Sequence, residues 1–221
     1  MYDIKGDSLQ LRKSVELDVA GAATVVADLA GEKVADLLLI NDRDLSYAKL
    51  RFDDRSIATL KTHLGKFDDA LARALCWASI WDMHRDAEIS SSDFIEIALN
   101  GLAGETDDAI VNIVLMQLNT SVEAYAKDSN RAAYREKLAN GLWTLTQNSA
   151  PGSDLQLLIS RAFAINAQTP EQTAKIRELL NGGAPGLKVD TDLRWYFLIA
   201  LTERGATTKA ELDAELATDN T

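Results

Sequence analysis

The sequence predicts a mainly α protein: an irregular superhelix of helix hairpins preceded by a few β-strands. Two observations predict it. Apolar residues alternate with polar ones up to about Phe52, then recur at three- and four-residue intervals from Asp53 onward, so the texture changes from strand-like to helical. The 221 residues include only 3 prolines and 12 glycines, which lets long stretches stay helical. The change of texture divides the chain into residues 1–53, the remnant of a β-sandwich domain, and residues 54–221, an α-helical domain expected to be truncated.

In the first part, Gly6-Asp7-Ser8 predicts a hairpin turn. Leu9, Leu11, Val15, Leu17 and Val19 follow at mostly even spacing, as in a half-solvated strand with a one-residue slip near Lys13-Ser14. Leu37-Leu38-Leu39-Ile40 is a continuous apolar run, the pattern of a strand covered on both faces. Asn41-Asp42-Arg43-Asp44 turns the chain, and Tyr47 to Phe52 alternates again. A few strands of this length cannot stand alone, so they are expected to be the tail of a larger β-domain.

In the second part, Asp53 or Asp54 caps a helix through Ile57, Leu60 and Leu64, stopped at Gly65. A long amphipathic helix should carry Phe67, Leu71, Ala74, Leu75, Ala78 and Trp81 on one face. Ser91 or Ser92 caps the next, with Phe94, Ile97, Ala98 and Leu102. Further helices carry Ile110, Val111, Val114, Leu115 and Leu118, then Tyr134, Leu138, Leu142 and Leu145. After the break at Pro151-Gly152 come Leu155, Leu158, Ile159, Ala162 and Phe163. Thr169-Pro170-Glu171-Gln172 combines a threonine cap, proline at the first helical position and glutamine closing a capping box. Gly182-Gly183 stops that helix. Asp190 or Thr191 opens another through Leu193, Phe197, Ala200 and Leu201 to Gly205, and Thr208 to Glu211 suggests a last capping box. Helices this short, with breaks of a few residues, predict HEAT-like hairpins stacked in a curved layer, whose concave face would hold partners.

Composition excludes several classes of function. The formal net charge is -11, so a phosphate backbone or an anionic membrane is repelled; neither nucleic acid nor membrane is expected as a partner. Met1-Tyr2-Asp3-Ile4-Lys5 carries no apolar signal core and no stretch approaches a membrane span, so a cytoplasmic location is expected. The single cysteine, Cys76, allows no disulfide within the chain, and its apolar surroundings favour a buried small hydrophobe over a reactive thiol.

No catalytic constellation emerges. The two histidines, His63 and His84, lack the H-E-x-x-H spacing that sets two imidazoles and a glutamate on one helix face. They are expected to be structural or superficial. There is no G-x-S-x-G, no glycine-rich phosphate loop and no C-x-x-C. Asp53-Asp54, Asp68-Asp69 and Asp107-Asp108 are paired carboxylates, but each sits at an expected helix start, where capping is favoured over acid–base work. Trp77 and Trp81 are one helical turn apart and should join the core. Arg194 differs: if Leu193 and Phe197 face the core, its guanidinium points to one side, where it either lines a cavity or makes a salt bridge to a neighbouring helix.

Three segments carry a resemblance. Leu37 to Arg51, with Asn41-Asp42-Arg43-Asp44-Leu45-Ser46-Tyr47-Ala48-Lys49, resembles the Asn-Asp-x-Asp-Leu-x-Tyr-x-Lys segment of actinobacterial-type aminopeptidase N. Ala70 to Met83 is similar to the Arg-x-x-x-Trp-x-x-x-Trp-Asp-Met helix of that family's helical C-terminal domain, a domain also seen in endoplasmic-reticulum aminopeptidases. Asp192-Leu193-Arg194-Trp195 with Leu198 and Leu201 matches a third stretch. The resemblance covers essentially the whole chain. It implies the C-terminal part of a gluzincin metalloaminopeptidase, which releases N-terminal amino acids from peptides.

The zinc-binding H-E-x-x-H and the G-A-M-E-N motif of that family have no counterpart here, so the resemblance implies no catalytic residue and no metal ligand in this chain. Zinc would belong to the parent enzyme, and peptide would be the partner through the parent's catalytic domain. The helical part is expected to cover the active-site chamber as a bowl and shape substrate access, with Arg194 as the candidate contact for a peptide carboxyl terminus. The competing expectation is a stand-alone helical-repeat module that grips a protein partner. A free module should not begin with unpaired strands, whose edges invite aggregation.

Overall fold

The computed structural model describes residues 1–219; Asn220 and Thr221, the end of the expected helical domain, lie outside the described residues. The chain separates into two compact units, Met1–Ser90 and a second from Ser91 onward. Among the described residues there are nine α-helices and one two-stranded sheet, so the protein is mainly α.

The first unit opens with a hairpin. Strand β1 (Tyr2–Lys5) pairs antiparallel with β2 (Ser8–Leu11), Tyr2 opposite Leu11 and Lys5 opposite Ser8. Gly6 supplies the positive φ of 61° that the tight turn needs. The turn is where the sequence placed it, but the expected strand from Leu9 ends at Leu11. Leu17 and Val19 lie on irregular, exposed backbone. Leu37 to Ile40 is not a strand either: only Leu37 bridges Tyr2, exchanging both backbone hydrogen bonds with it (2.8 and 3.0 Å). Leu37 and Leu39 are buried whereas Leu38 and Ile40 are exposed, so the run is covered on one face and not on both. Tyr47 to Phe52 is likewise irregular. An alternating pattern becomes a strand only where a neighbour takes up its backbone groups. Apart from the single bridge of Leu37 to Tyr2, these segments have no strand partner among the described residues.

Helices α1 (Asp54–His63) and α2 (Ala70–Arg85) complete this unit. Asp53 caps α1 by accepting from the Ser56 amide, and Asp69 caps α2 by accepting from the Leu71 and Ala72 amides; such caps are each worth about 1 kcal/mol. The α1 hydroxyls reach the preceding segment, Ser56 accepting from the Leu38 amide (3.0 Å) and Thr59 donating to the Asp36 carbonyl (2.7 Å). The Tyr2 ring meets Phe67 edge-on with centroids 4.9 Å apart, and its hydroxyl donates to Asp42 (2.7 Å). The compact unit therefore includes both helices and ends well beyond the change of texture near Asp53.

Helix α2 is rotated relative to expectation. Its buried side is Ala72, Arg73, Cys76, Trp77, Ile80, Met83 and His84, while Leu71 is exposed and Phe67 lies ahead of the helix. The helix is apolar on nearly all sides. Periodicity alone gives too little contrast to orient it, and tertiary packing decides.

The second unit contains α3 (Ser91–Leu102), α4 (Asp108–Thr120), α5 (Asp128–Asn148), α6 (Asp154–Asn166), α7 (Pro170–Leu180), α8 (Thr191–Glu203) and α9 (Lys209–Thr218). Helix α3 starts at Ser91, so Ser91 and Ser92 lie inside its first turn and do not precede it as caps. A single π-helical turn, Ser121–Tyr125, follows α4, closed by the Ala126 amide donating to the Ser121 carbonyl (2.9 Å). Asp107, Ser153, Thr169, Asp190 and Thr208 cap α4, α6, α7, α8 and α9, and both predicted capping boxes form.

Buried glutamines knit the hairpins. Gln156, at the start of α6, donates to the carbonyls of Thr146 near the end of α5 (3.3 Å) and Pro185 in the loop before α8 (3.2 Å). Gln172, at the start of α7, donates to Asn140 on α5 (2.9 Å). Helices α6 and α8 run side by side in the same direction: Gln156 meets the loop before α8, Arg161 lies over the Tyr196 ring (5.5 Å), and Arg204 donates to the Ile165 carbonyl (2.8 Å). Asn166 donates to Asn119 (2.9 Å), joining the C-terminal end of α4 to that of α6. Phe94, Phe163, Phe197, Leu102, Leu118 and Leu138 are fully buried in this unit.

Candidate functional site

Arg194 sits in the first turns of α8 because Asp190 caps that helix and Leu193 and Phe197 are drawn into the core on either side of it. Its guanidinium therefore leaves sideways, into a cleft of about 520 Å³ among α7, α8 and α9. The cleft is lined by Arg177, Arg194, Glu211 and Glu215 over an apolar floor that includes Leu180, Leu198 and Ala214.

The charges in the cleft are paired. Arg194 donates through Nε and Nη2 to the two carboxylate oxygens of Glu215, at 2.6 and 2.7 Å, in the parallel fork geometry that suits a guanidinium. Glu215 is nearly buried, with 9% of its side chain exposed against 39% for Arg194. The bond to Arg194 holds the Glu215 carboxyl below its ordinary range, and in return Glu215 raises the Arg194 pKa. Next to it, Arg177 donates to Glu211 (2.7 Å) and to the Ala206 carbonyl. Glu211 is also held low, first by the Thr208 amide of the capping box. The indole of Trp195 donates to Asp219 (2.8 Å), a further tie between α8 and the residue after α9.

Of the two possibilities open for Arg194, the structure thus shows both a cleft and a salt bridge to a neighbouring helix. Glu215 and Arg177 were not singled out by sequence. Their only signal was position, because Glu211 and Glu215 lie one turn apart on α9 and must share a face. Chemically, the cleft presents carboxylates kept ionised and guanidiniums already engaged. Among the described residues its lining includes no cysteine, serine or histidine, and both of its carboxyls are lowered, not raised toward neutrality for general acid work.

The remaining candidates are structural. His84 is buried, its Nδ1 directed at the Ile89 carbonyl (2.9 Å), and burial lowers its pKa. His63 shares a hydrogen bond with the Thr62 hydroxyl on the outer end of α1. Cys76 is fully buried, and burial pushes its thiol pKa well up, which suits a small core residue and not a nucleophile. Asp53, Asp69 and Asp107 are caps. Among the described residues no three of His, Cys, Asp and Glu converge as metal ligands, so the side chains described do not fit a zinc site. No helix among them is long and apolar enough to cross a membrane.

Residues 37–221 match the family described as ERAP1-like C-terminal domain. Aminopeptidase N of Streptomyces lividans is 41% identical over 223 residues, an alignment that covers all of this chain and 26% of that protein. The chain thus spans about a quarter of the length of this curated relative.

Proposed function

The chain belongs to the ERAP1-like C-terminal domain family, and from that premise we propose that it is the non-catalytic C-terminal part of an aminopeptidase N-type zinc enzyme that removes N-terminal amino acids from peptides. The observation that carries this is the match from residue 37 to 221 together with 41% identity to an aminopeptidase N about four times as long. Zinc and the reacting groups would reside elsewhere in the parent polypeptide.

The helices would then act as a cover over the active-site chamber, limiting which peptides enter and excluding water from the cleft below. Residues 1–53 would be the tail of a β-sandwich. The exposure of Val19, Val25, Leu45 and Tyr47 supports this, since apolar side chains so open to water are the kind a further domain covers. The same exposure counts against a stand-alone helical module. A role for Arg194 in meeting a peptide carboxyl terminus would use its Nη1, the guanidinium nitrogen that takes no part in the fork with Glu215.

The test is an assay of the purified chain on aminoacyl-p-nitroanilides, with and without added zinc, beside the complete product of its gene. The expected result is turnover by the complete product and none by the chain. Zinc-dependent turnover by the chain alone would overturn the proposal, and so would a complete gene product without H-E-x-x-H.

A further inference from the structure

Helix α9 is held to its neighbours differently from the rest of its unit. Helices α7 and α8 each sink an apolar face into the core, Ile176, Leu179 and Leu180 from one, Leu193, Phe197, Leu198 and Leu201 from the other. On α9 the buried side chain is the carboxylate of Glu215; Leu212 is only partly covered and Leu216 is 65% exposed. The helix runs back along α8 on polar ties: Glu211 to Arg177, Glu215 to Arg194 and, just past its end, Asp219 to Trp195.

A helix of 10 residues is too short to persist alone in water, and packing of an apolar face is what normally fixes it. With so little apolar burial, the docking of α9 depends on its two guanidinium–carboxylate pairs. The link before it is anchored separately. The Ala206 carbonyl accepts from Arg177, the Thr202 and Thr207 hydroxyls share a hydrogen bond (2.8 Å), and Gly205 takes the positive φ of 64° that ends α8. The chain is thus fixed as far as Thr207, and α9 can leave without disturbing α8.

We propose that α9 is an acid-released latch: ionised Glu211 and Glu215 hold it on α7 and α8 at neutral pH, and protonation of both frees it as a unit while α7 and α8 keep their fold. The charged groups that face these carboxylates are Arg177 from α7 and Arg194 from α8, with Asp219 beyond the end of α9. Neither arginine loses its charge in this range, so the carboxylates decide. Both are lowered in the docked state, so docking is complete above the ordinary glutamate value of 4.5 and is lost as the pH falls through the docked values. Release removes one wall of the cleft and opens Leu180 and Leu198 to water. Such a latch would operate whatever the parent polypeptide does, so it stands or falls apart from the function proposed above.

The experiment is hydrogen–deuterium exchange on the full chain between about pH 7 and 3.5, read by mass spectrometry of fragments, with each rate divided by the intrinsic rate at that pH. On acidification, fragments from α9 should lose about tenfold in protection, each partly exposed pair contributing a few-fold, before those from α7 and α8 change. The Trp195 fluorescence should shift to longer wavelength in the same step, as its indole loses Asp219. E211Q/E215Q, which imitates the protonated carboxyls, should show the poorly protected α9 already at pH 7 and remove the dependence on pH. D213N breaks only the exposed pair with Lys209 inside α9 and should leave docking intact. Full protection of α9 in E211Q/E215Q at pH 7 overturns the proposal, as does release of α9 by D213N. So does loss of protection by α7, α8 and α9 together, which the wild-type chain reveals without any variant.

Discussion

Truncating either partner of the Arg194–Glu215 pair should have unequal consequences, and the inequality follows from exposure. In Arg194→Ala the Glu215 carboxylate, 9% exposed, loses both of its guanidinium bonds and stays where water reaches it poorly. An unpaired buried acceptor of this kind costs about 1–3 kcal/mol. Partial solvation of a pair whose arginine is 39% exposed brings the expectation to about 1–2 kcal/mol. In Glu215→Ala the guanidinium can turn to solvent, and the cost should be below about 1 kcal/mol. Thermal unfolding followed by circular dichroism should show the Arg194→Ala midpoint lowered by roughly 2–8 °C for a chain of this size. Amide exchange in α9 should accelerate in the same variant, because α9 is the element the pair holds down. The double variant should be less destabilised than the sum of the singles, revealing the coupling. An equal or larger effect of Glu215→Ala, or strict additivity, would show that the pair does not form in solution and that Arg194 is free for another partner. The pair also sets a pH dependence. Because the Glu215 carboxyl is lowered in the folded state by Arg194, its contribution is complete above the ordinary glutamate value of 4.5 and is lost as pH falls through the folded value.

Three further outcomes are expected. Burial depresses the His84 pKa below 6.5, so on acidification the unfolded chain takes up the proton first; the urea midpoint of the first unit should be flat above about pH 6.5 and fall below it, and His84→Gln should flatten that fall. Gly182 and Gly186 both have positive φ, 80° and 78°, but a Cβ at 182 meets nothing within 4 Å whereas at 186 it would come within 2.6 Å of Pro151. Gly182→Ala should therefore cost about 1–2 kcal/mol and Gly186→Ala more than about 3 kcal/mol, measured as chemical-denaturation stability. Cys76 should be silent toward a thiol reagent such as dithionitrobenzoate until denaturant is added, and labelling of the native chain would contradict its burial.

Helix starts were legible because capping is local: Asp53, Asp69, Asp107, Thr169 and Thr208 each need only the next three residues to act. The buried faces of α4 and α8 were legible as well: Val111, Val114, Leu115 and Leu118, and Leu193, Phe197, Ala200 and Leu201, are buried at the spacing the sequence shows. What failed depends on distant chain. The apolar run at Leu37 and the alternation from Tyr47 have the composition of strands, but a strand exists only with a neighbour to bond. The Asn41–Asp44 turn between them held, because Asn41 closes it by itself, accepting from the Ser46 amide (3.0 Å) and donating to the Ser46 carbonyl (2.7 Å). In the candidate site, Arg194 could be picked out by its place beside two core residues. Glu215 could not, since it reaches the arginine from a different helix.

The like direction of α6 and α8 has an electrical consequence. In an antiparallel hairpin the peptide dipoles of two helices oppose and largely cancel, but side by side and pointing the same way they add. Their carbonyl ends, with that of α4 beside them, gather partial negative charge on one edge of the layer, and Arg204 is placed there, donating to the carbonyls of Ile165, Ala167 and Ala200. Removing that arginine would leave the edge an attractor for stray cations and turn a neutralised seam into a polarised one.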